Sequence, residues 1–324
     1  MKTTSTIISL SVIFASITLW AQESLKPPAV PTAETRAKIE AQRKKIAALP
    51  VPVGLARRTL KVGEVEREFF IHIPETCKGK ASPVVFALHG GSASSGLAMH
   101  LKVDYTPVAD RDGFVVVYPS GIEGWNNGVK HKYTGGVNTS DDIGFFRAMF
   151  DTLIAEGVAD AKRIYITGGS NGGVMTYKLL SEMADRIAGA GVVVATLPEI
   201  VKTWPKPSRP VPILIMLGTN DPMMPWDGTQ GQQSAQATIE YWKAINGCTG
   251  ESVKKECPDN DPNDGCRVHA QRWEGKAPVF FYTMEGHGHG WPMQKGRDET
   301  GTGPKTRDIS APEEFWKFFH KENQ

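Results

Sequence analysis

Ser170, Asp221 and two histidines, His287 and His289, are the residues of this 324-residue chain whose types and settings could act together. Ser170 stands in GGSNGG, Gly168 to Gly173, between the apolar run RIYIT and VMTYKLLSEMA. Gly168-x-Ser170-x-Gly172 has the spacing of a nucleophile elbow, a strand–turn–helix corner too tight for side chains beside the serine. A phosphate-cradling turn is the other use of such a loop, but neither a Walker lysine nor a G-x-G-x-x-G spacing is present. A serine hydroxyl is a weak nucleophile until a base takes its proton and a carboxylate orients that base.

The acid and the base are expected downstream of the elbow, in that order. Asp221 ends the run VPILIMLGTND in a turn closed by Pro222, where an orienting carboxylate belongs; Glu199 and Asp227 compete with it. A plain turn aspartate bonding its own backbone is the bland alternative. The run PVFFYTMEG then delivers GHGHGWP, so both His287 and His289 are candidate bases. His89, in LHGG, precedes the elbow, and chain order argues against it as the base. LHGG instead suits a glycine turn that gives half of an oxyanion hole. The Gly91 N–H and the Asn171 N–H, just after the nucleophile, would hold the tetrahedral oxyanion. Trp125 in GWNNG, Trp226 beyond the acid and Trp291 beyond the base are candidates to line a substrate cleft, with core packing as the alternative for each. A histidine pair with one residue between could also bind metal, but no third ligand motif accompanies it. The loop CPDNDPNDGC, Cys257 to Cys266, has its glycine one place late for a calcium loop and no closing glutamate, so it reads as a polar surface loop.

These residues need a frame that carries strand ends to one edge. Six short, almost wholly apolar runs supply it: 83–90, 114–121, 163–170, 190–197, 211–221 and 278–286, of the kind buried on both faces of a parallel sheet. TLKVGEVEREFFIHIP alternates about Gly63 and predicts a leading antiparallel hairpin. Between the runs, 140–157 and 234–245 carry helical apolar faces, and Ser310-x-x-Glu313 is a capping box opening the last helix. Strands alternating with helices predict a doubly wound, mostly parallel α/β sheet in a single catalytic domain, residues 53–324, with working residues at the carboxyl ends of the strands.

The chain outside that domain has its own signals. Lys2 and the apolar run 7–20 form a signal-peptide pattern ending at Ala21, with an uncleaved anchor helix as the alternative. No cysteine follows the run, which argues against a lipoprotein anchor. Residues 22–52 read as a proline-flanked linker or surface helix. Export makes the four cysteines disulfide candidates, with one bridge expected within Cys248, Cys257 and Cys266, and Cys77 apart. A net charge of +2 excludes a nucleic-acid footprint, and no membrane association is expected once the signal is cleaved.

Taken in order, LHGG, the DDIGF of 141–145, RIYITGGSNGG, GTNDPMMPW and GHGWP resemble the exported esterases of the polyhydroxybutyrate-depolymerase and feruloyl-esterase type. These are α/β hydrolases grouped with carbohydrate esterases, and the likeness covers about residues 58–324. The resemblance implies an α/β-hydrolase fold and a secreted serine esterase with Ser170 as nucleophile, Asp221 as acid and the histidine of G-H-x-W-P as base. Only His289 has Trp291 and Pro292 at that spacing, which leaves His287 at the pocket edge as a substrate contact. It implies no metal or organic cofactor, a monomer, and an ester substrate on a polysaccharide such as feruloylated or acetylated xylan, or else a polyhydroxyalkanoate. A serine peptidase is the less favoured activity, and a carbohydrate-binding protein on a retired hydrolase scaffold is the non-enzymatic one. The relatives' cysteine before the final strand is missing from RWEGKAPV, although Asn246-Gly247-Cys248 is kept.

Overall fold

The computed structural model describes residues 33–91, 95–130, 137–293 and 302–322. The expected signal peptide, 1–21, lies outside the described residues. So does the start of the expected linker; its remainder holds a largely exposed helix α1, Ala33–Ala47, tethered to the domain by Arg43 on Glu123. No helix among the described residues is long and apolar enough to cross a membrane.

Among the described residues, ten strands form one sheet: β1 (Ala56–Val62), β2 (Val65–His72), β3 (Ser82–Leu88), β4 (Val115–Pro119), β5 (Ala159–Gly169), β6 (Gly189–Val193), β7 (Ile213–Gly218), β8 (Val253–Glu256), β9 (Arg267–Trp273) and β10 (Val279–Glu285). Their order is β1-β2-β4-β3-β5-β6-β7-β10-β9-β8. The six from β4 to β10 in that order run parallel. They are the six apolar runs of the sequence, and β3, β4, β6 and β7 are buried at every position. The hairpin β1–β2 closes one edge antiparallel to β4, as the alternation about Gly63 implies. A second antiparallel pair, β9 and β8, closes the other edge and was not visible in the sequence pattern.

Because side chains alternate across a strand, each parallel strand feeds two cores. Val84, Phe86 and Leu88 of β3 point to one face, under α4 (Asp142–Ala155), α5 (Asn171–Met183) and α6 (Ala235–Asn246). Val85 and Ala87 point to the other, under α2 (Gly96–Lys102), α3 (Thr106–Asp112) and α7 (Ala311–Glu322). The sheet is doubly wound, and this architecture is the α/β-hydrolase fold.

The expected disulfide is corrected. Cys77, Cys248, Cys257 and Cys266 are all free thiols. The physical reason lies in their placement. Cys77 and Cys248 pack on the α4–α6 face and Cys257 on the opposite one. The Cys248 thiol leans on the Ala277 carbonyl at 3.4 Å and the Cys266 thiol on the Asp264 carbonyl at 3.6 Å. The Cys257–Cys266 loop is fixed by hydrogen bonds instead: Asn260 N–H donates to Asp308 at 2.8 Å and Arg307 N–H to Asp264 at 2.7 Å.

Candidate active site

Ser170 occupies the step from β5 into α5, and its backbone sits at φ 55°, ψ −124°. Positive φ is strained for a residue with a side chain, and here it turns the hydroxyl out of the corner. Two contacts hold the corner. The Ser170 N–H donates to the Val193 carbonyl at 3.0 Å at the end of β6, and the Val174 N–H returns to the Ser170 carbonyl at 3.0 Å. The flanking glycines are demanded by space. A Cβ on Gly168 would collide with the Gly172 carbonyl oxygen, and one on Gly172 with the His89 carbonyl oxygen. Another side-chain-bearing residue with φ 44°, Val194, lies next door at the end of β6.

Asp221 lies just past β7 and is 4% exposed. Its Oδ1 accepts the N–H groups of Met223 and Met224 at 2.8 and 2.9 Å, which fixes the carboxylate plane. Its Oδ2 lies 2.7 Å from His289 Nδ1. A carboxylate only accepts, so Nδ1 carries the ring proton and Nε2 is left with a lone pair. That atom lies 2.9 Å from Ser170 Oγ. The His289 backbone is stapled to Thr302 by reciprocal bonds of 2.7 and 3.1 Å. Three strand ends therefore bring together a hydroxyl, an imidazole with its acceptor nitrogen toward that hydroxyl, and a buried carboxylate behind the ring. This arrangement can move a proton from serine to histidine while stabilising the imidazolium. The competing acids stand elsewhere: Glu199 pairs with Lys202, and Asp227 is exposed.

Asn171 is the first residue of α5, where a backbone N–H has no intrahelical acceptor. Gly90 lies against Ser170: a Cβ there would be 3.3 Å from Ser170 Cβ and 3.9 Å from its Oγ. Gly91 follows it, exposed, at the head of the same turn.

The expected substrate contacts divide. His287 is a correction: its ring is fully buried, with Nε2 donating to the Gly290 carbonyl at 3.0 Å and Nδ1 accepting the Thr306 N–H at 2.9 Å. Both nitrogens are engaged inside the protein, so the ring braces the loop that carries His289 and offers nothing to a ligand. Trp125 and Trp291 are likewise buried. The first packs on His89 and Phe146, the second edge-on to Tyr105 and Phe315. Trp226 remains half-exposed beside the acid turn, packed on Phe281.

Two features of the site escaped sequence reasoning. His89 was weighed only as a base; it is fully buried, and burial pushes its pKa down to about 4. Arg67 of β2 and Asp142 of α4 form a buried ion pair at 2.6 Å just below the site. The DDIGF motif pointed at Asp142 but not at a partner 75 residues away.

The chain is similar to several known proteins. A model of the Prolyl oligopeptidase family matches residues 101–208, which include Ser170. Feruloyl esterase B of Piromyces equi is 30% identical over 255 residues, 71% of this chain and 45% of that protein. The chain thus spans under half of that relative's length. Putative esterase NocK of Nocardia uniformis subsp. tsuyamanensis is 25% identical, with 88% of each chain covered. Among solved structures, the acetyl xylan esterase from Aspergillus awamori superposes with a TM-score of 0.52 at 16% identity, covering 72% of this chain and 94% of that one. In sequence the chain is similar to feruloyl and other esterases, and its fold is that of the α/β hydrolases.

Proposed function

We propose that the chain is a serine carboxylic-ester hydrolase, exported, that releases feruloyl or acetyl groups from plant polysaccharide such as xylan. The observation that carries the reading is the continuous hydrogen-bonded run Ser170–His289–Asp221 at the strand ends. In the reaction, His289 Nε2 takes the Ser170 proton as Oγ attacks the ester carbonyl. The oxyanion rests on the N–H groups of Gly91 and Asn171. The alcohol leaves with the proton from His289, and water repeats the attack on the acyl-enzyme. Nothing in this sequence of steps calls for a metal or organic cofactor. The substrate class is supported by relatives named as feruloyl and acetylxylan esterases. Trp226, half-exposed beyond the acid turn, is the candidate to meet an acyl or sugar ring.

The test is a rate panel on methyl ferulate, acetylated xylan and hydroxybutyrate oligomers, with a peptide anilide alongside and Ser170→Ala as control. Turnover of ferulate or acetyl ester, absent in Ser170→Ala, is expected. Hydrolysis of only the oligomers would move the assignment to polyester depolymerisation, only the anilide to a peptidase, and none at all to a binding protein. Export predicts a mature chain beginning at Gln22, which N-terminal sequencing of secreted protein checks.

A further inference from the structure

The two proposed oxyanion donors sit on separate elements, the turn after β3 and the start of α5, yet both are tied to one loop. That loop, residues 120–127, follows β4. Its Gly121 N–H donates to His89 Nε2 at 2.9 Å, and its Trp125 indole N–H donates to the His89 carbonyl at 2.8 Å. A backbone N–H can only donate, so His89 Nε2 has no proton and Nδ1 has it. Nδ1 in turn donates to the Gly90 carbonyl at 2.7 Å. In a trans peptide the carbonyl and the following N–H point to opposite sides, so this bond turns the Gly91 N–H away from the His89 ring. On the other side, the Trp125 N–H donates to Asn171 Oδ1 at 3.0 Å, and the Asn127 side chain reaches the Asn171 carbonyl at 3.5 Å.

The loop itself is held from beneath at both ends. Arg67 donates to the Ser120 carbonyl at 3.3 Å, and Asp142 accepts the Asn126 N–H at 2.6 Å. Arg67 and Asp142 bond each other, are 3% and 1% exposed, and the guanidinium lies 4.2 Å over the Phe145 ring. A buried ion pair is a weak source of net stability, because desolvation offsets its attraction. What this pair supplies that apolar side chains could not is a set of directed donors and acceptors for the loop ends.

We propose that the Arg67–Asp142 pair and the loop it anchors are the positioning device of the oxyanion hole, setting the Gly91 peptide through His89 and Asn171 through the Trp125 backbone. These are positioning residues that touch no substrate. The proposal rests on the ester-hydrolase reading. Loosening the device should weaken the transition state and leave ground-state binding alone.

The experiment compares wild type with Trp125→Phe, which removes the indole N–H and keeps an aromatic ring of smaller size in the same buried place, and with Arg67→Met. Rates on p-nitrophenyl acetate are normalised to burst-titrated active sites, so that misfolded protein does not count. Losing one oxyanion donor outright costs roughly 100-fold or more, and a displaced one is expected to lower kcat about 10-fold in Trp125→Phe and more in Arg67→Met, with KM within about twofold. Inhibition by a trifluoromethyl ketone, whose hemiketal oxyanion needs the same hole, should weaken by the same factor as kcat. An unchanged kcat per active site in Trp125→Phe, or a loss carried by KM, overturns the proposal; should Arg67→Met not fold, Trp125→Phe decides alone. Ser170→Ala turning over as fast as wild type would instead overturn the hydrolase reading, and is scored separately.

Discussion

Asp221 uses one oxygen for two backbone N–H groups and the other for His289, and that division sets what asparagine would do there. In Asp221→Asn the amide oxygen keeps the Met223 and Met224 bonds, so the turn should hold. The NH2 then faces His289 Nδ1 as a donor and forces the ring proton onto Nε2, the atom that must accept from Ser170. A drop in kcat of roughly 10⁴-fold is expected, the scale known for a wrong histidine tautomer. Steady-state rates at an unchanged melting temperature check it; a variant within tenfold of wild type would contradict the proton placement. The two histidines of GHGHGWP should separate as sharply. His289→Ala is expected to abolish turnover. His287→Ala removes two buried hydrogen bonds and should cost about 2–3 kcal/mol of stability while leaving much of the activity in the folded fraction. Chain order and strand ends led to Ser170, Asp221 and the histidine pair, and the resemblance to esterases with a G-H-x-W-P motif singled out His289. The sequence misjudged His287 because burial of a loop histidine depends on Thr306, which reaches it from beyond the motif.

The parallel strands were visible in the sequence because each carries an almost wholly apolar stretch, in β5 its later half, the pattern that two-sided burial produces. The trailing hairpin was not, since β8 is VKKE with all four residues exposed and β9 mixes arginine, histidine and glutamine into its run. Helices α2 and α3 have seven residues each, too few for a readable period, although Ser95 caps α2 by accepting the Ala98 N–H. Helix α7 shows what an element contributes without entering the site. Phe319 is 1% exposed and stacks on Tyr165 at 4.5 Å, and Phe315 fills the space left by Gly191. Truncating Phe319→Ala deletes a buried ring against a sheet that cannot close the gap. It should cost roughly 3–5 kcal/mol. Denaturant unfolding should show that loss, with kcat per active site unchanged. A variant as stable as wild type would mean that α7 is not a structural layer of the fold.

Over the whole molecule, stability should depend on pH through histidines kept neutral inside. Burial is the main cause that holds His89 near a pKa of about 4, with the Gly90 carbonyl opposing and the positive Arg43 and Arg67 assisting. Burial lowers His100 as well. An unfolded histidine takes its proton near pH 6.5, so between about 6.5 and 4 the unfolded chain binds protons that the folded one refuses. The sign follows: stability is full above about pH 6.5 and falls as the pH drops toward 4. For His89 the gap corresponds to roughly 3 kcal/mol. His269 works the other way, raised by Glu256 and Glu285, but it is partly exposed and its effect is screened. Ring-proton NMR should find one histidine still neutral at pH 5, and denaturant midpoints should fall across the same interval; a His89 midpoint near 6.5 would remove the effect. The consequence reaches the site as well. A protonated His89 Nε2 could no longer accept the Gly121 N–H, so acid would also loosen the loop tied to the Gly91 and Asn171 elements. Activity lost in acid by this route should track the fall in unfolding midpoint; activity that falls while the midpoint holds would contradict it.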